Sequence, residues 1–426
     1  MNISHCMGGV SLPPSATLPA PRMPSSPGSS APAKTRSTKR PLVAIACALA
    51  CGSALAQAGA AGSPGGGWQA GAVLDVSASS RALALGQRDR GLALGHSDLS
   101  AYGPLGNHLD AQLTAAVHSD HGKYELELDE AWVQTRTLPA GLQLRAGRFA
   151  SQIGYLNEQH PHADDFVQRP LLYRAFFGDH WTDDGLRLNW TAATDLYLRL
   201  GAEVFRGKRL VEEADSASSP GAAVLSARIG GDIGASHSWQ AGLSYLHNRR
   251  DAGHAHEAEE EGEEAGHHDA HEDDGHGDAH GGHGAAYSGR GLWLGGVTWK
   301  WAPDGNNSRQ QVRVTYERAV VRKPAGLAGS GDRHRADTLS AVWRFAPAWE
   351  VGARTDALSV RIAHEDHVDH GRLREHALML AYKPTHQQTF RVQATRQRDR
   401  GGFEAATQAL QLQYILNFGA HAAHAF

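Results

Sequence analysis

Apolar and polar residues exchange places at every second position along most of this chain, and apolar residues never run unbroken for the ~18–20 positions a membrane-crossing helix needs. A side-chain period of two belongs to extended strands whose two faces meet different surroundings. In Tyr124-Glu125-Leu126-Glu127-Leu128-Asp129 the even positions are apolar and the odd ones acidic. The same alternation runs through Leu196-Tyr197-Leu198-Arg199-Leu200, Val312-Arg313-Val314-Thr315-Tyr316 and Leu410-Gln411-Leu412-Gln413-Tyr414. One face suits hydrocarbon and the other suits water. A mean hydropathy of -0.42 and 49 glycines exclude a helical membrane bundle. The helical or βαβ periodicities of a large soluble enzyme are missing. A net charge of -4, with no basic stripe interleaved with aromatics, argues against nucleic acid as a partner.

A soluble β-sandwich also alternates, but loop lengths separate the two cases. Breaking the chain at turn-forming clusters predicts about sixteen strands, within fourteen to eighteen. They lie near 68–79, 91–102, 107–118, 123–137, 141–149, 182–191, 195–207, 222–234, 238–248, 290–302, 309–321, 335–345, 349–361, 373–383, 387–397 and 405–418. Their connections form two classes. One is short and turn-like, as in Gly103-Pro104-Leu105-Gly106, Leu138-Pro139-Ala140, Ala346-Pro347-Ala348 and Pro384-Thr385-His386. The other is long: 150–181, 208–221, 249–289, 322–334 and 362–372. Tight turns on one rim and long loops on the other are the signature of an all-β, transmembrane antiparallel barrel of the bacterial outer membrane, with the long loops outside. Outer-membrane lipid is then one partner, and the terminal Phe426 suits recognition by the barrel assembly machinery.

The three cysteines, Cys6, Cys47 and Cys51, all precede the predicted barrel. Basic residues Lys34, Arg36, Lys39 and Arg40, the apolar stretch 42–49 and small residues at 54–58 have the order of a secretory signal peptide cut after Ala56 or Ala58. Residues 1–58 are therefore expected to be an N-terminal extension plus signal, with Met23 a candidate start, and 59–426 the barrel. Cys51-Gly52 lacks the leucine a lipoprotein signal carries three residues earlier, where Ala48 stands.

The stretch Leu142-Gln143-Leu144-Arg145-Ala146-Gly147-Arg148-Phe149, followed by Ile153-Gly154-Tyr155-Leu156-Asn157, resembles the phosphate-selective porin O/P group. That resemblance implies a long third loop that narrows the lumen, and assembly as a homotrimer. The chain is also similar to His-rich barrels found beside zinc-uptake systems, some described as TonB-dependent receptors. Such receptors need an N-terminal plug and about 22 strands, for which this chain has no room.

The connection 251–286 holds His254, His256, His267, His268, His271, His276, His280 and His283 among acids such as Glu257, Glu263, Asp269, Glu272 and Asp274. Imidazole with carboxylate and no thiolate suits Zn2+, Ni2+ or Cu2+. His364, His367 and His370 form a second cluster expected on the same rim. In the third loop, His160, His162, Asp164, Asp165, Arg169 and Arg174 are candidates for a pore constriction, with His160-Pro161-His162-Ala163-Asp164-Asp165 spaced as a transit site for a divalent cation. The alternative for this loop is packing against the wall with its charges paired internally. Arg145, Arg199, Arg313 and Arg391 are expected to face the lumen and favour anions, whereas the rim would attract cations, so selectivity stays open.

No Ser/His/Asp arrangement stands out, so no enzymatic activity is expected. The expected function is a porin-like channel for small solutes or ions, with rim histidines that capture divalent metal, zinc first, and no obligatory cofactor. A non-transporting surface metal binder and a plug-less relative of TonB-dependent zinc receptors are the alternatives.

Overall fold

The computed structural model describes residues 67–120, 123–211, 220–250, 285–325, 327, 332–363, 367–403 and 407–419. The expected signal segment, the connection 251–284, His364 and Phe426 lie outside the described residues. The strands are β1 (Gln69–Ser79), β2 (Gly91–Leu94), β3 (Ser97–Leu105), β4 (Leu109–Asp120), β5 (Lys123–Thr135), β6 (Leu142–Ala150), β7 (Thr182–Thr191), β8 (Tyr197–Phe205) and β9 (Ala222–Ile233). They continue as β10 (His237–Asn248), β11 (Gly289–Trp301), β12 (Gln311–Pro324), β13 (Arg333–Ala346), β14 (Trp349–Ala363), β15 (Val368–Thr385), β16 (Gln388–Asp399) and β17 (Gln408–Gly419). One short helix, α1 (Leu171–Phe177), interrupts them.

Each strand pairs antiparallel with its sequence neighbour, and β17 returns to pair with β1 through Gly71↔Gly419 to Ser79↔Gln411. Both β2 and β3 pair with β1 along one line, so they are two halves of a single strand and the barrel has sixteen. Closure matters because hydrocarbon offers no partner to an unpaired edge. No helix among the described residues is long and apolar enough to cross a membrane.

Alternation is read out as expected. In β15 every second residue, including Arg372, Arg374, His376, Leu378 and Leu380, points outward, while Leu373, Glu375, Ala377, Met379 and Ala381 are buried. Aromatic pairs gather toward the short-turn rim, with Trp349–Tyr382 ring centroids 4.6 Å apart and Phe390–Tyr414 4.7 Å apart. They suit an interfacial girdle. The β15 strand is longer than the alternation alone suggested and takes in His370.

The lumen departs from a uniformly polar lining. Inward residues of β11–β15 near the long-loop rim are apolar, among them Leu292, Leu294, Val321, Leu358, Val360 and Leu373. They pack around α1, whose residues are all buried. This half of the barrel has a conventional hydrophobic core, and open space is left toward β1–β10.

Leu378 is 64% exposed near the middle of its strand, on the face that only lipid can cover. Leu378→Arg should lower stability by about 2–4 kcal/mol, the cost of a cation at mid-membrane on a barrel's outer face. Urea unfolding in lipid vesicles reads this directly.

Candidate metal centre

The connection 151–181 turns into the barrel, and its ends are tied at their base. Asn157 Nδ2 donates to the carbonyls of Ser151 and Trp181, both at 2.9 Å, and Trp181 N–H returns a bond to Asn157 Oδ1. Pro161 opens a single 3-10 turn, Pro161–Ala163, and holds His160 before it in extended backbone. His160 and His162 therefore project side by side, their rings 5.6 Å apart and 22° from parallel. Gly178, left-handed at φ 63°, ends α1 and turns the chain back through Asp179 to His180.

These histidines meet residues that two irregularities in the wall have turned inward. Between Thr114 and Ala115 of β4 the register against β5 skips a residue, so Thr114 faces Glu130 and Ala115 faces Leu128. Asp129 is the extra residue. A bulge of this kind re-aims side chains, and it lets Asp129 and Glu130, consecutive in sequence, both face the lumen. The second irregularity is the break between β2 and β3, where three steps along β1, from Val73 to Val76, match four steps from Asp98 back to Leu94. It brings in His96 alongside Asp98. A Cβ at position 95 within that break would force the Arg88–Asp75 ion pair to move, so glycine leaves room for that pair.

The result is a cluster of four imidazoles and three carboxylates. His96 Nε2 and His160 Nδ1 each lie 3.4 Å from Asp129 Oδ2 and 3.5 Å from one another. His160 Nδ1 is also 3.4 Å from Asp98 Oδ2, which His162 Nδ1 approaches at 3.2 Å. His160 Nε2 stands 3.5 Å from Glu130 Oε2, and His180 Nδ1 3.8 Å from Asp129 Oδ1. Asp129 Oδ2, His162 Nδ1 and His180 Nε2 are buried and make no hydrogen bond. The first two meet only the ion-pair partners just named, without good hydrogen-bond geometry, and buried polar atoms normally do better.

Burial works against charge on His160, but its hydrogen bond with Glu130 and the nearby Asp98 and Asp129 carboxylates prevail and raise its pKa to about 10. Burial holds His180 well below the ordinary histidine value against the pull of Asp129, so its ring stays neutral and keeps a lone pair. Among the described residues two groups have metal-ligand spacing: His96, Asp129 and His160, and Asp98, His160 and His162. The edge of a tetrahedron with zinc bonds of ~2.0–2.1 Å is about 3.3 Å. The separations of 3.4, 3.4 and 3.5 Å around the first group are those of one tetrahedral face.

The other constriction candidates have different surroundings. Arg169 is fully buried, bonds Asp164 Oδ2 at 2.8 Å and Asp179 O at 3.0 Å, and also donates to Gln159 O. It thus clamps the residues immediately before His160 and His180. Asp164 is pushed up to about 6 by burial, which outweighs the opposing Arg169. Arg174 is buried against Glu375 at 2.6 Å, where Arg354 also bonds at 2.5 Å. Asp165 pairs with Arg313. Of the arginines expected in the lumen, Arg145 stacks over Trp132 at 3.9 Å, Arg199 lies 3.9 Å from Glu158, and Arg391 bonds Gln413 and, at 2.6 Å, the Asp164 carbonyl.

On the rim, His367 is exposed and 3.7 Å from Asp369, while His370, a strand residue, abuts Arg361. His254, His256, His267, His268, His271, His276, His280, His283 and His364 lie outside the described residues. Sequence spacing alone missed His96, Asp98, Asp129 and Glu130 as site residues. A signal was present: outward apolar positions are even at Leu126 and Leu128 but odd at Ala131 and Val133, a slip in phase that marks the bulge.

Arg169→Met should leave Asp164 and two carbonyls unpartnered in the interior, at about 3–5 kcal/mol for a buried pair broken on one side. Faster amide exchange across 157–181, with strand amides unchanged, is the expected reading.

No family model matches the chain. An "Uncharacterized protein" of Aquifex aeolicus (strain VF5) is 39% identical over 119 residues, which is 28% of this chain and only 24% of that relative's length. Among solved structures, Pseudomonas putida OprB at high pH superposes with a TM-score of 0.51 at 12% identity, covering 84% of this chain and 94% of its own. OmpTdeltaL8, a loop-deletion mutant of an outer membrane protein of Vibrio cholerae, gives 0.50 at 10% identity, covering 83% and 99%. The likeness is one of fold. A closed sixteen-stranded antiparallel barrel with an apolar outer face is a protein of the bacterial outer membrane.

Proposed function

We propose that this barrel is an outer-membrane channel that admits divalent transition-metal cations, zinc foremost, past a ligand cluster in its lumen. The observation that carries this reading is the set of His96, His160, His162 and His180 with Asp98, Asp129 and Glu130, gathered by two bulges and a lumen loop. Imidazole and carboxylate without thiolate are borderline ligands that suit zinc over calcium or magnesium. The histidine-rich rim connection 251–286 would raise the local metal concentration above the mouth.

The likeness to phosphate-selective porins would require basic groups open to an anion. Among the described residues three lumen arginines are held by carboxylates: Arg228 bonds Glu158 at 2.6 Å, Arg187 bonds Glu203 at 2.5 Å, and Arg313 holds Asp165, whereas Arg145 and Arg391 meet only neutral groups. The histidine and acid cluster offers neutral and anionic ligand atoms at metal-ligand spacing instead.

Planar-bilayer conductance of the barrel lacking residues 251–286 tests the reading apart from the rim. Stepwise current in potassium chloride that falls on adding micromolar Zn2+, and recovers with chelator, is expected. Current indifferent to millimolar Zn2+ would overturn it.

A further inference from the structure

The two ligand groups open onto different sides of the barrel. His96, Asp129 and His180 line a small pocket of about 90 Å³ together with His118, Ser119 and Gln87, at the ends of strands that lead into the long-loop rim. Asp98, Glu130, His160 and His162 line a cavity of about 1220 Å³ whose other walls include Gln69, Tyr197 and Trp239, close to the short-turn rim. Long loops face outward and short turns face the periplasm in barrels of this kind. The cluster therefore stands between an outer pocket and a periplasmic vestibule, and α1 packs against the β11–β15 side of the lumen.

Both groups use His160, and the interatomic distances show them meeting at the same nitrogen. His160 Nδ1 is 3.4 Å from Asp129 Oδ2, which belongs to the outer group, and 3.4 Å from Asp98 Oδ2, which belongs to the inner one. A ring nitrogen has a single lone pair, so it binds one ion at a time. The opposite nitrogen, Nε2, is directed at Glu130. Simultaneous filling of both groups through Nδ1 is thereby excluded. Asp129 Oδ2, in the outer group, and His162 Nδ1, in the inner one, are both buried and meet only other ligand atoms of their own group, at 3.4 and 3.2 Å.

On the metal-channel reading above, we infer that the two groups are successive stations for one ion: an outer station of His96, Asp129 and His160 and an inner station of Asp98, His160 and His162, with His160 common to both and passing the ion between them. An ion leaving the outer station exchanges His96 and Asp129 for His162 and Asp98 without losing its bond to His160. Conduction through a binding site requires affinity enough to enter and an alternative set of ligands to leave by, which adjacent stations supply. No bond is made or broken beyond exchange of metal ligands.

The test uses the barrel lacking 251–286, with His96→Ala, His162→Ala and His160→Ala variants, each checked for native heat-modifiable mobility. Equilibrium dialysis against Zn2+ reads stoichiometry, and bilayer block reads sidedness, with orientation fixed by streptavidin capture of a biotinylated Arg400→Cys. We expect one tightly held Zn2+ per barrel in the parent. His96→Ala should lose block from the outer side and keep it from the periplasmic side, and His162→Ala the reverse, each shifting the affected side at least ~10-fold. His160→Ala should weaken block from both sides. Two tightly held ions per barrel would overturn the shared-station assignment in favour of a binuclear centre, as would identical loss of block on both sides in His96→Ala and His162→Ala. Zinc binding by His160→Ala equal to that of the parent would instead remove the cluster as a metal site and the channel reading with it.

Discussion

Backbone hydrogen bonding in hydrocarbon is the constraint on which this structure depends. Each strand must satisfy its peptide groups on both sides without help from water, and a sheet achieves this only by closing on itself. The β1–β17 ladder, running from Gly71↔Gly419 to Ser79↔Gln411, completes that closure. Once the outside is committed to lipid, the inner face is released from the usual duty of forming the core. It is then free to be apolar where it packs a loop, and charged where it meets a solute.

Both options are used, on opposite sides of one lumen. Toward β11–β15, Tyr173, Phe176 and Phe177 of α1 rest on aliphatic side chains of the wall, and the charged residues there are locked into a network in which Glu375 accepts from Arg174, Arg354 and Gln397. Breaking one partner of such a network strands a buried charge, which explains why the loop holds one position. Toward β2–β5 the same loop delivers three histidines to an acidic wall. Arg169 joins the two roles: fully buried itself, it grips Gln159 and Asp179 and so fixes where His160 and His180 begin. The packed half of the lumen is what gives the ligand half its geometry.

The fold was legible to the extent that the period of two is legible. Strand positions and the two classes of connection follow from alternation and from loop length, whereas the inward return of 151–181 was implied only by the porin resemblance. The site was legible only in part. His160, His162 and His180 could be grouped because they share one connection, but His96, Asp98, Asp129 and Glu130 sit on strands whose alternation assigns a face without saying what lies opposite. The two bulges are departures from the pattern, visible only as slips of phase, as between Leu128 and Ala131. Arg169 and Arg174 show the converse difficulty. Their charge suggested a pore lining, yet burial with Asp164 and Glu375 makes them struts, a distinction that depends on which wall residue each meets. The apolar inner face of β11–β15 has the same origin: in sequence, an inward leucine and an outward one differ only by register.

On the channel reading proposed above, charge and ligand geometry together would suit the cluster to a cation in passage rather than a permanent resident. Asp98, Asp129 and Glu130 bring three negative charges into a space walled by protein, where they repel one another far more than in water. His180, kept neutral by burial, does nothing to offset them. A metal ion bound among them would add positive charge where the three carboxylates converge and give Asp129 Oδ2 and His162 Nδ1 a closer partner. Yet the seven side chains come from separate elements, two of them bulges and one a loop, so no single rigid cage of four converging ligands forms as in a closed structural zinc site. Shared and incomplete ligand sets favour entry over retention, and that is the physical difference between a station on a path and a structural metal site.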